Sequence, residues 1–316
     1  MQICGALKKT DFKNIIMVKL NASSEAKSSN IIVLVNANSD LNKIAGINSD
    51  YLNSKIKTDD NGMSFSSVND QLVYAVYTNK KEESANQTLQ DFRVLGSKAS
   101  KAVNAEKLNS LTVMADPSIS TGNVMAFLEG MCLANYQYLV FKSDKSKKNP
   151  LNSLNVNVNG ISQENLTELA NVVQATCFSR DIVNEPVITL TAVELAKRFV
   201  EIGKIAGFDT RVLSKKEIEE HKMGGLLGVN FGSIDDPTFS IMTYKPENAV
   251  NEKPLVLVGK GVVYDTGGLS LKPTAKSMDF MKCDMGGAAA VIGGLYAISK
   301  NELPYHVIGL VPATDN

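Results

Sequence analysis

Two lysines and two aspartates lie next to glycine turns between residues 255 and 316. Lys260 stands between two glycines, directly after the apolar run Leu255–Val258. Asp265 begins the sequence DTGG, Lys272 precedes a proline, and Asp284 precedes MGG. Paired carboxylates can serve as acid–base groups or as ligands of a hard metal ion, with a lysine as amine ligand or electrophile. The cluster therefore indicates chemistry, and three mechanistic classes could use it.

The spacing separates these classes. A P-loop nucleotide site, G-x-x-x-x-G-K-[ST], would need glycine at position 254 and Ser or Thr after Lys260, where the chain has Pro254 and Gly261. An aspartic protease is suggested by Asp-Thr-Gly, but only one such triplet occurs and the chain has an α/β pattern. A metal site built from carboxylates is the class that the residues favour.

The histidines and cysteines do not extend the cluster. His221 and His306 belong to no H-E-x-x-H pattern, so a zinc site based on histidine is not supported. His221 is expected to be exposed and His306 to be structural. Cys283 is expected to be a packed thiol, because no partner base marks it as a nucleophile.

The elements that position the cluster follow from hydrophobic patterning. Short runs of Val, Ile and Tyr predict strands, and apolar residues spaced by three or four predict helices. In the first half we predict strands at 30–36, 71–78, 108–115 and 136–141, and helices at 86–102 and 121–135. Alternating strands and helices predict a mostly parallel sheet covered on both faces.

The second half is also α/β. We predict helices at 163–183, 191–205, 215–222 and 286–300, and strands at 209–213, 240–244, 254–258 and 305–311. The second helix starts at a capping box, Thr191 to Glu194. The run Leu255–Val258 is expected to be a buried strand, with Lys260 at its C-terminal end, where open α/β sheets bind ligands. The glycines beside Lys260 would let the backbone approach another group closely.

A break in composition separates the halves. Residues 142–159 are rich in Lys, Ser and Asn, and we expect a connection or domain edge there, with a possible edge strand at 155–159. We predict an N-terminal α/β domain at 1–150, a linker and connecting helix at 151–185, and a catalytic domain at 186–316.

Composition excludes several classes of protein. The chain has 316 residues with 33 basic and 33 acidic side chains, so its net charge of zero argues against a nucleic-acid or anionic-membrane partner. No stretch has the roughly 18 to 20 apolar residues of a membrane span. Four scattered cysteines without a C-x-x-C pair are typical of a reducing compartment, and we expect a cytoplasmic protein.

The residues of the cluster carry a family resemblance. The sequences VGKGVVYDTGGLSLKP at 258–273 and MKCDMGGAA at 281–289 resemble the catalytic segment of the leucyl (cytosol) aminopeptidases, the M17 metallopeptidases. The resemblance extends back to residue 165 and forward to 316. It implies an N-terminal α/β (macro-like) domain and a C-terminal α/β aminopeptidase domain with a central mixed sheet.

The resemblance also implies roles for individual residues. Two divalent metal ions, zinc or manganese, would be bridged by Asp265, and Lys260 with Asp284 would complete the more exchangeable metal site. Lys260 can ligate only as the neutral amine. Lys272 would stay protonated and polarise the scissile carbonyl. Asp284 would also hold the substrate's free amine, and Met281 would line the pocket for an apolar first side chain.

Further properties implied by the resemblance concern the intact protein. Its reaction would be the hydrolysis of N-terminal residues from peptide substrates by a water that bridges two metal ions. Bicarbonate would be a possible base in this reaction. The intact protein would be a homo-oligomer, a hexamer. The family's segment Asn-Thr-Asp-Ala-Glu-Gly-Arg, with two further ligands, does not occur here, so we expect the catalytic domain to be incomplete at residue 316.

A second departure from the family pattern also bears on these expectations. One extra residue between Lys272 and Asp284 places Lys276 in a slightly longer loop, which affects the placement of Met281. The alternative function is a non-catalytic or truncated member that acts only in assembly or binding. The coding sequence beyond codon 316 discriminates between the two: a stop codon there predicts no turnover.

Overall fold

Two separate sheets organise the chain, as a computed structural model shows for residues 17–23, 30–59, 61–79 and 84–316. Of these residues, 17–173 form one compact unit and 174–316 form another. Cys4 lies outside the described residues. No helix in the described ranges is long and apolar enough to cross a membrane. The predicted α/β fold class with two sheets is confirmed.

The first unit is built on a six-stranded sheet. Its strands are β1 (Lys19–Ala22), β2 (Ile31–Val35), β3 (Asn61–Val68), β4 (Gln71–Thr78), β5 (Ser110–Ala115) and β6 (Ser153–Asn157). Their order is β1-β6-β5-β2-β4-β3, and all neighbours are parallel except β3 and β4. Central strand β2, with sequence IIVLV, is buried along its whole length, as expected of a parallel strand covered on both faces. The predicted, mostly parallel sheet is confirmed.

Helices cover this sheet. They are α1 (Leu41–Ala45), α2 (Asp50–Thr58), α3 (Ala85–Ala105) and α4 (Thr121–Ala134), and α5 (Gln163–Asn184) begins after β6. Serine side chains cap three of them: Ser49, Ser84 and Ser120 each accept a hydrogen bond from a backbone N–H in the first turn. Such caps satisfy N–H groups that the helix itself leaves unpaired.

Two expectations for this region are corrected. The predicted strand at 136–141 is wrong, because the segment is irregular. The Gln137 side chain ties it to a loop instead, accepting from the Asn149 N–H at 2.7 Å and donating to the Lys147 carbonyl at 3.0 Å. Strand β6 overlaps the suggested edge strand, but it has partners on both sides, β1 and β5.

The second unit contains the remaining elements. These are α6 (Ala192–Ala206), β7 (Asp209–Leu213), α7 (Lys215–Glu220), α8 (Gly224–Asn230), β8 (Thr238–Tyr244), β9 (Leu255–Val258), β10 (Gly261–Val262), a 3₁₀-helix (Met278–Cys283), α9 (Gly286–Lys300) and β11 (Val307–Thr314). The Thr191 hydroxyl caps α6 by accepting from the Glu194 N–H.

The sheet of this unit is mixed. Its order is β10-β11-β8-β7, and β9 pairs with β11 on the same side as β10. Strands β9 and β10 run parallel to β11, whereas β8 is antiparallel to both β11 and β7. One buried cluster, formed mainly by residues of α5, α6, α9 and β11, supplies the core.

The expectation that Leu255–Val258 is buried is wrong. Leu255, Val256 and Val258 are all at least half exposed. In the described part of the chain β9 pairs only with β11, so its other edge has no neighbouring strand.

Candidate functional site

The candidate site lies where three parallel strands end. Lys260 follows β9, Asp265 follows β10 by three residues, and Asn316 follows β11 by two. Because the carboxyl ends of parallel strands meet at one edge of a sheet, the chain brings these residues to the same edge. The backbone fixes this arrangement further: the Asn316 N–H donates to the Tyr264 carbonyl at 3.0 Å, and its carbonyl accepts from the Thr266 N–H at 2.8 Å.

Lys260 and Asp284 form the first ion pair of the site. Lys260 Nζ lies 2.6 Å from Asp284 Oδ2. The aspartate precedes α9, and the next residue, Met285, is completely buried. The lysine side chain is 57% exposed and the aspartate side chain 21%. The pair is therefore open to solvent on the lysine side.

Asp265 and Lys272 form the second ion pair, through Asp265 Oδ2 and Lys272 Nζ. The other carboxylate oxygen accepts from the Gly267 N–H and from Asn316 Nδ2, both at 2.9 Å. These donors, the Lys272 ammonium first, lower the pKa of Asp265 from its ordinary value to about 2, although burial opposes the shift. Asp265 is therefore an anion at neutral pH.

The glycines beside Lys260 serve packing within the unit. A Cβ on Gly259 would lie 2.6 Å from the Gly287 carbonyl oxygen, and one on Gly261 would lie 2.5 Å from the Pro312 carbonyl oxygen. The Ala288 N–H donates to the Lys260 carbonyl at 3.0 Å. The close approach expected at these glycines is thus to the start of α9 and to β11.

The structure joins the four predicted residues as two pairs. In the described residues, no hydrogen bond or ion pair connects Lys260–Asp284 to Asp265–Lys272. Met281 lies half-buried in the 3₁₀-helix that precedes Asp284. The expectation of a packed Cys283 thiol is wrong, because this residue is exposed. It lies in a helix with no buried residue. His221 is exposed, as expected.

Sequence reasoning overlooked Asn316, whose amide group contacts Asp265. The signal that could have found it was its place just after a strand that runs parallel to the strand before Asp265. Two residues that follow neighbouring parallel strands are expected to meet.

These residues fit part of a metal donor set. Asp265 and Asp284 offer carboxylate oxygens and Lys260 offers an amine nitrogen, all of which bind divalent cations. Within the ranges that the structure describes, however, no group of three or more His, Cys, Asp and Glu side chains could hold a metal ion. The chain's described residues therefore supply some of the donors of such a site.

Sequence comparison relates the site to a known family. Residues 177–316 match the model of the cytosol aminopeptidase family, catalytic domain. The chain is 43% identical over 203 residues to a probable cytosol aminopeptidase of Chlorobium limicola, a match that covers 60% of this chain and 40% of the relative. It is 53% identical over 137 residues to a protein of the same name from Chloroherpeton thalassium, which covers 43% of this chain and 26% of the relative.

Solved structures agree with the fold. The bottromycin maturation enzyme BotP in complex with Mn superposes with a TM-score of 0.75 at 26% identity, over 92% of this chain and 60% of that one. The apo leucyl aminopeptidase of Trypanosoma cruzi has a TM-score of 0.77 at 21% identity, over 96% of this chain and 63% of that one. At 21% identity, the likeness to the Trypanosoma cruzi enzyme concerns the fold alone.

The chain spans 40% or less of the length of these two curated relatives and 60–63% of the two solved structures. Its match to the family model covers all four residues of the two ion pairs. Residues 177–316 of the chain are therefore similar to the catalytic domain of the cytosol aminopeptidase family.

Proposed function

We propose that the complete protein is a metal-dependent aminopeptidase that removes N-terminal, preferably apolar residues from peptides. The observation that carries the proposal is the pair of carboxylate–lysine contacts at one sheet edge, inside the segment that matches the family's catalytic domain. Similarity to this family and a relative structure that contains Mn support the use of divalent metal.

Asp265, Asp284 and Lys260 are the residues that would hold metal. We propose that these three residues would help to hold two ions, zinc or manganese. When bound, such ions polarise a carbonyl and supply a water of lowered pKa. The described residues hold only part of such a donor set, and the remaining donors would be residues outside the described ones. Bicarbonate would be a possible base in the complete protein.

The chain's own residues would orient the peptide. Asp284, whose side chain is 21% exposed, would accept hydrogen bonds from the substrate's free amine, which would restrict the enzyme to N-terminal residues. Lys272 is 28% exposed, so its ammonium can reach a carbonyl oxygen while Asp265 holds it in place. A charged donor at that point would stabilise the negative charge that develops on this oxygen. Met281 would contact the first side chain.

Two properties of the whole protein belong to the same proposal. The relatives named above are called cytosol aminopeptidases, and we propose a cytoplasmic location for this protein too. We also propose a homo-oligomer, a hexamer, as its assembled state.

The test uses the complete protein and a leucine anilide. We expect hydrolysis with added Mn²⁺ or Zn²⁺ and its loss on chelation. A Lys272→Ala variant should lose about 10²–10³-fold in kcat, because one charged donor to the reacting oxygen is removed. Lys276→Ala is the matched control, since Lys276 is an exposed lysine of the same loop, and its contact in the described structure, to Asp279 Oδ2 at 3.3 Å, is made by its backbone N–H, which alanine keeps.

Undiminished turnover by Lys272→Ala would contradict the role of that lysine. If the complete wild-type protein cleaves no aminoacyl substrate with either metal, the aminopeptidase proposal fails. The alternative, a member that acts only in assembly or binding, would then take its place.

A further inference from the structure

The short 3₁₀-helix Met278–Cys283 leads directly into Asp284 and has no buried residue. Phe280 within it is 60% exposed. Its backbone bonds at the start are local, from the Met278 N–H to the Pro273 carbonyl at 2.9 Å and from the Asp279 N–H to the Thr274 carbonyl at 3.1 Å. No fully buried apolar side chain therefore anchors this segment, although Met281 is half-buried.

One long-range hydrogen bond does reach the body of the unit. Lys282 Nζ donates to the backbone carbonyl of Asn184 at 2.8 Å, across 98 positions of sequence. Asn184 is the last residue of α5, and the carbonyl groups at a helix C-terminus attract cations and lack intrahelical partners. The ammonium group of Lys282 thus contacts the C-terminal end of α5.

The end of α5, which Lys282 contacts, is followed by a buried and paired residue, Glu185. Glu185 is 2% exposed, its N–H donates to the Asp181 carbonyl at 3.0 Å, and its carboxylate lies 3.4 Å from Nη2 of Arg198, which is 3% exposed. A buried ion pair is costly to break, because one charge would be left without its partner. The Asn184 carbonyl therefore lies next to a residue that burial and an ion pair hold in place.

We propose that Lys282 is a positioning residue for Asp284, an inference that rests on the proposed function. On one side of Asp284, Met285 is anchored in the core; on the other, Lys282 ties the exposed 3₁₀-helix to the end of α5. Between these two anchors the Asp284 carboxylate is held at the Lys260 amine. Without the tether, the carboxylate would sample other positions, and both metal binding and amine recognition would weaken.

The experiment compares Lys282→Met, Lys282→Arg and the control Lys276→Met in the complete protein. Lys276→Met removes the same charge from an exposed side chain in the preceding loop. Hydrogen–deuterium exchange reports on the tether, and the dissociation constant for Mn²⁺ reports on the placement of Asp284. The melting temperature of the metal-free protein shows whether the fold is retained.

In Lys282→Met we expect faster hydrogen–deuterium exchange at residues 279–285. We also expect Mn²⁺ binding to weaken about threefold to tenfold and kcat/KM to fall by about tenfold, because the loss of one hydrogen bond has effects of this size. The melting temperature should stay close to that of the wild type. Lys282→Arg should recover most of each effect, because a guanidinium can donate to the same carbonyl. Lys276→Met should match the wild type.

The proposal would be overturned if Lys282→Met and Lys276→Met had equal exchange rates and equal Mn²⁺ affinities. It would also be overturned if Lys282→Arg were as defective as Lys282→Met. A wild type that binds Mn²⁺ without hydrolysing any peptide would defeat the aminopeptidase function alone. The exchange and binding measurements would still decide the role of Lys282.

Discussion

Asp265 is the acidic residue with the largest number of donors in the candidate site. Its carboxylate receives Lys272 Nζ on one oxygen, and the Gly267 N–H and Asn316 Nδ2 on the other. Three donors around one anion lower its pKa to about 2 and fix its orientation in the metal-free protein. A carboxylate that is already ionised and oriented is suited to bind a cation, since no proton has to leave first.

At the residue scale, this environment predicts an acid-sensitive contribution to stability. The folded pKa of Asp265 lies below its ordinary value, so its ionised form favours the folded state. The contribution is full above about pH 4 and is lost as the pH falls toward 2, and we expect about 1 kcal/mol after screening by solvent. Urea unfolding of metal-free wild type and Asp265→Asn should therefore differ most near pH 5 and converge at low pH.

The control for this prediction is Asp209→Asn, which changes an exposed aspartate on β7 of the same unit. The difference in unfolding free energy between Asp209→Asn and the wild type should change little over the same pH range. Parallel pH profiles for wild type and Asp265→Asn would contradict the assigned ion pair.

Elements position the site through contacts between backbones. The turn between β9 and β10 lies against the first turn of α9, and Gly259 is the point of closest approach. A side chain there would separate the strand end from the helix, and with it Lys260 from Asp284. The glycine therefore contributes to the geometry of the first ion pair without taking part in any chemistry.

At the element scale we predict that Gly259→Ala destabilises the protein by about 1–3 kcal/mol, because its Cβ would lie 2.6 Å from the Gly287 carbonyl oxygen. Gly228→Ala in α8 is the matched control. No atom lies within 4 Å of its added Cβ, and alanine is the better helix former, so the expected change is a gain of up to about 1 kcal/mol. Urea unfolding measures both, and equal stability of the two variants would refute the contact.

On the scale of the whole molecule, strand β9 presents an apolar edge that no strand of the described residues covers. Its sequence LVLV is typical of a strand covered on both faces, yet Val258 is 70% exposed. Unpaired backbone groups and apolar side chains on one edge form a template for pairing with another chain. The 316-residue polypeptide should therefore associate with itself.

Val256→Lys should weaken this association by about tenfold or more, since charged side chains on an edge oppose strand pairing. Val250→Lys is the control, because Val250 is also exposed but lies outside the strands. Sedimentation velocity over a range of concentrations measures the effect. An equal decrease with both variants would assign the association to general apolar exposure and would contradict a role for β9.

Local patterns predicted many of the elements well. The helix at 286–300 and the strands at 71–78 and 209–213 agree with the structure at both ends. Strand β3 (Asn61–Val68) escaped prediction because its sequence NGMSFSSV has three serines and only one residue of the Val, Ile and Tyr type that marked the other strands. Among the described strands it pairs only with β4, at the edge of the sheet, so it needs little apolar sequence. The aromatic run at 136–141 had a strand's composition, but the segment is irregular and the Gln137 side chain ties it to a loop.

The sequence by itself determined the α/β class, the similarity to the cytosol aminopeptidases and the four residues of the two ion pairs, because these depend on residue types and short spacings. Only the tertiary structure decided which lysine contacts which aspartate, that Asn316 contacts Asp265, and that Lys282 reaches Asn184. Most of these contacts join residues far apart in sequence, up to 98 positions, at the ends of different strands and helices. Spacing along the chain carries little information about them, because the packing of the sheet and α9 sets those distances.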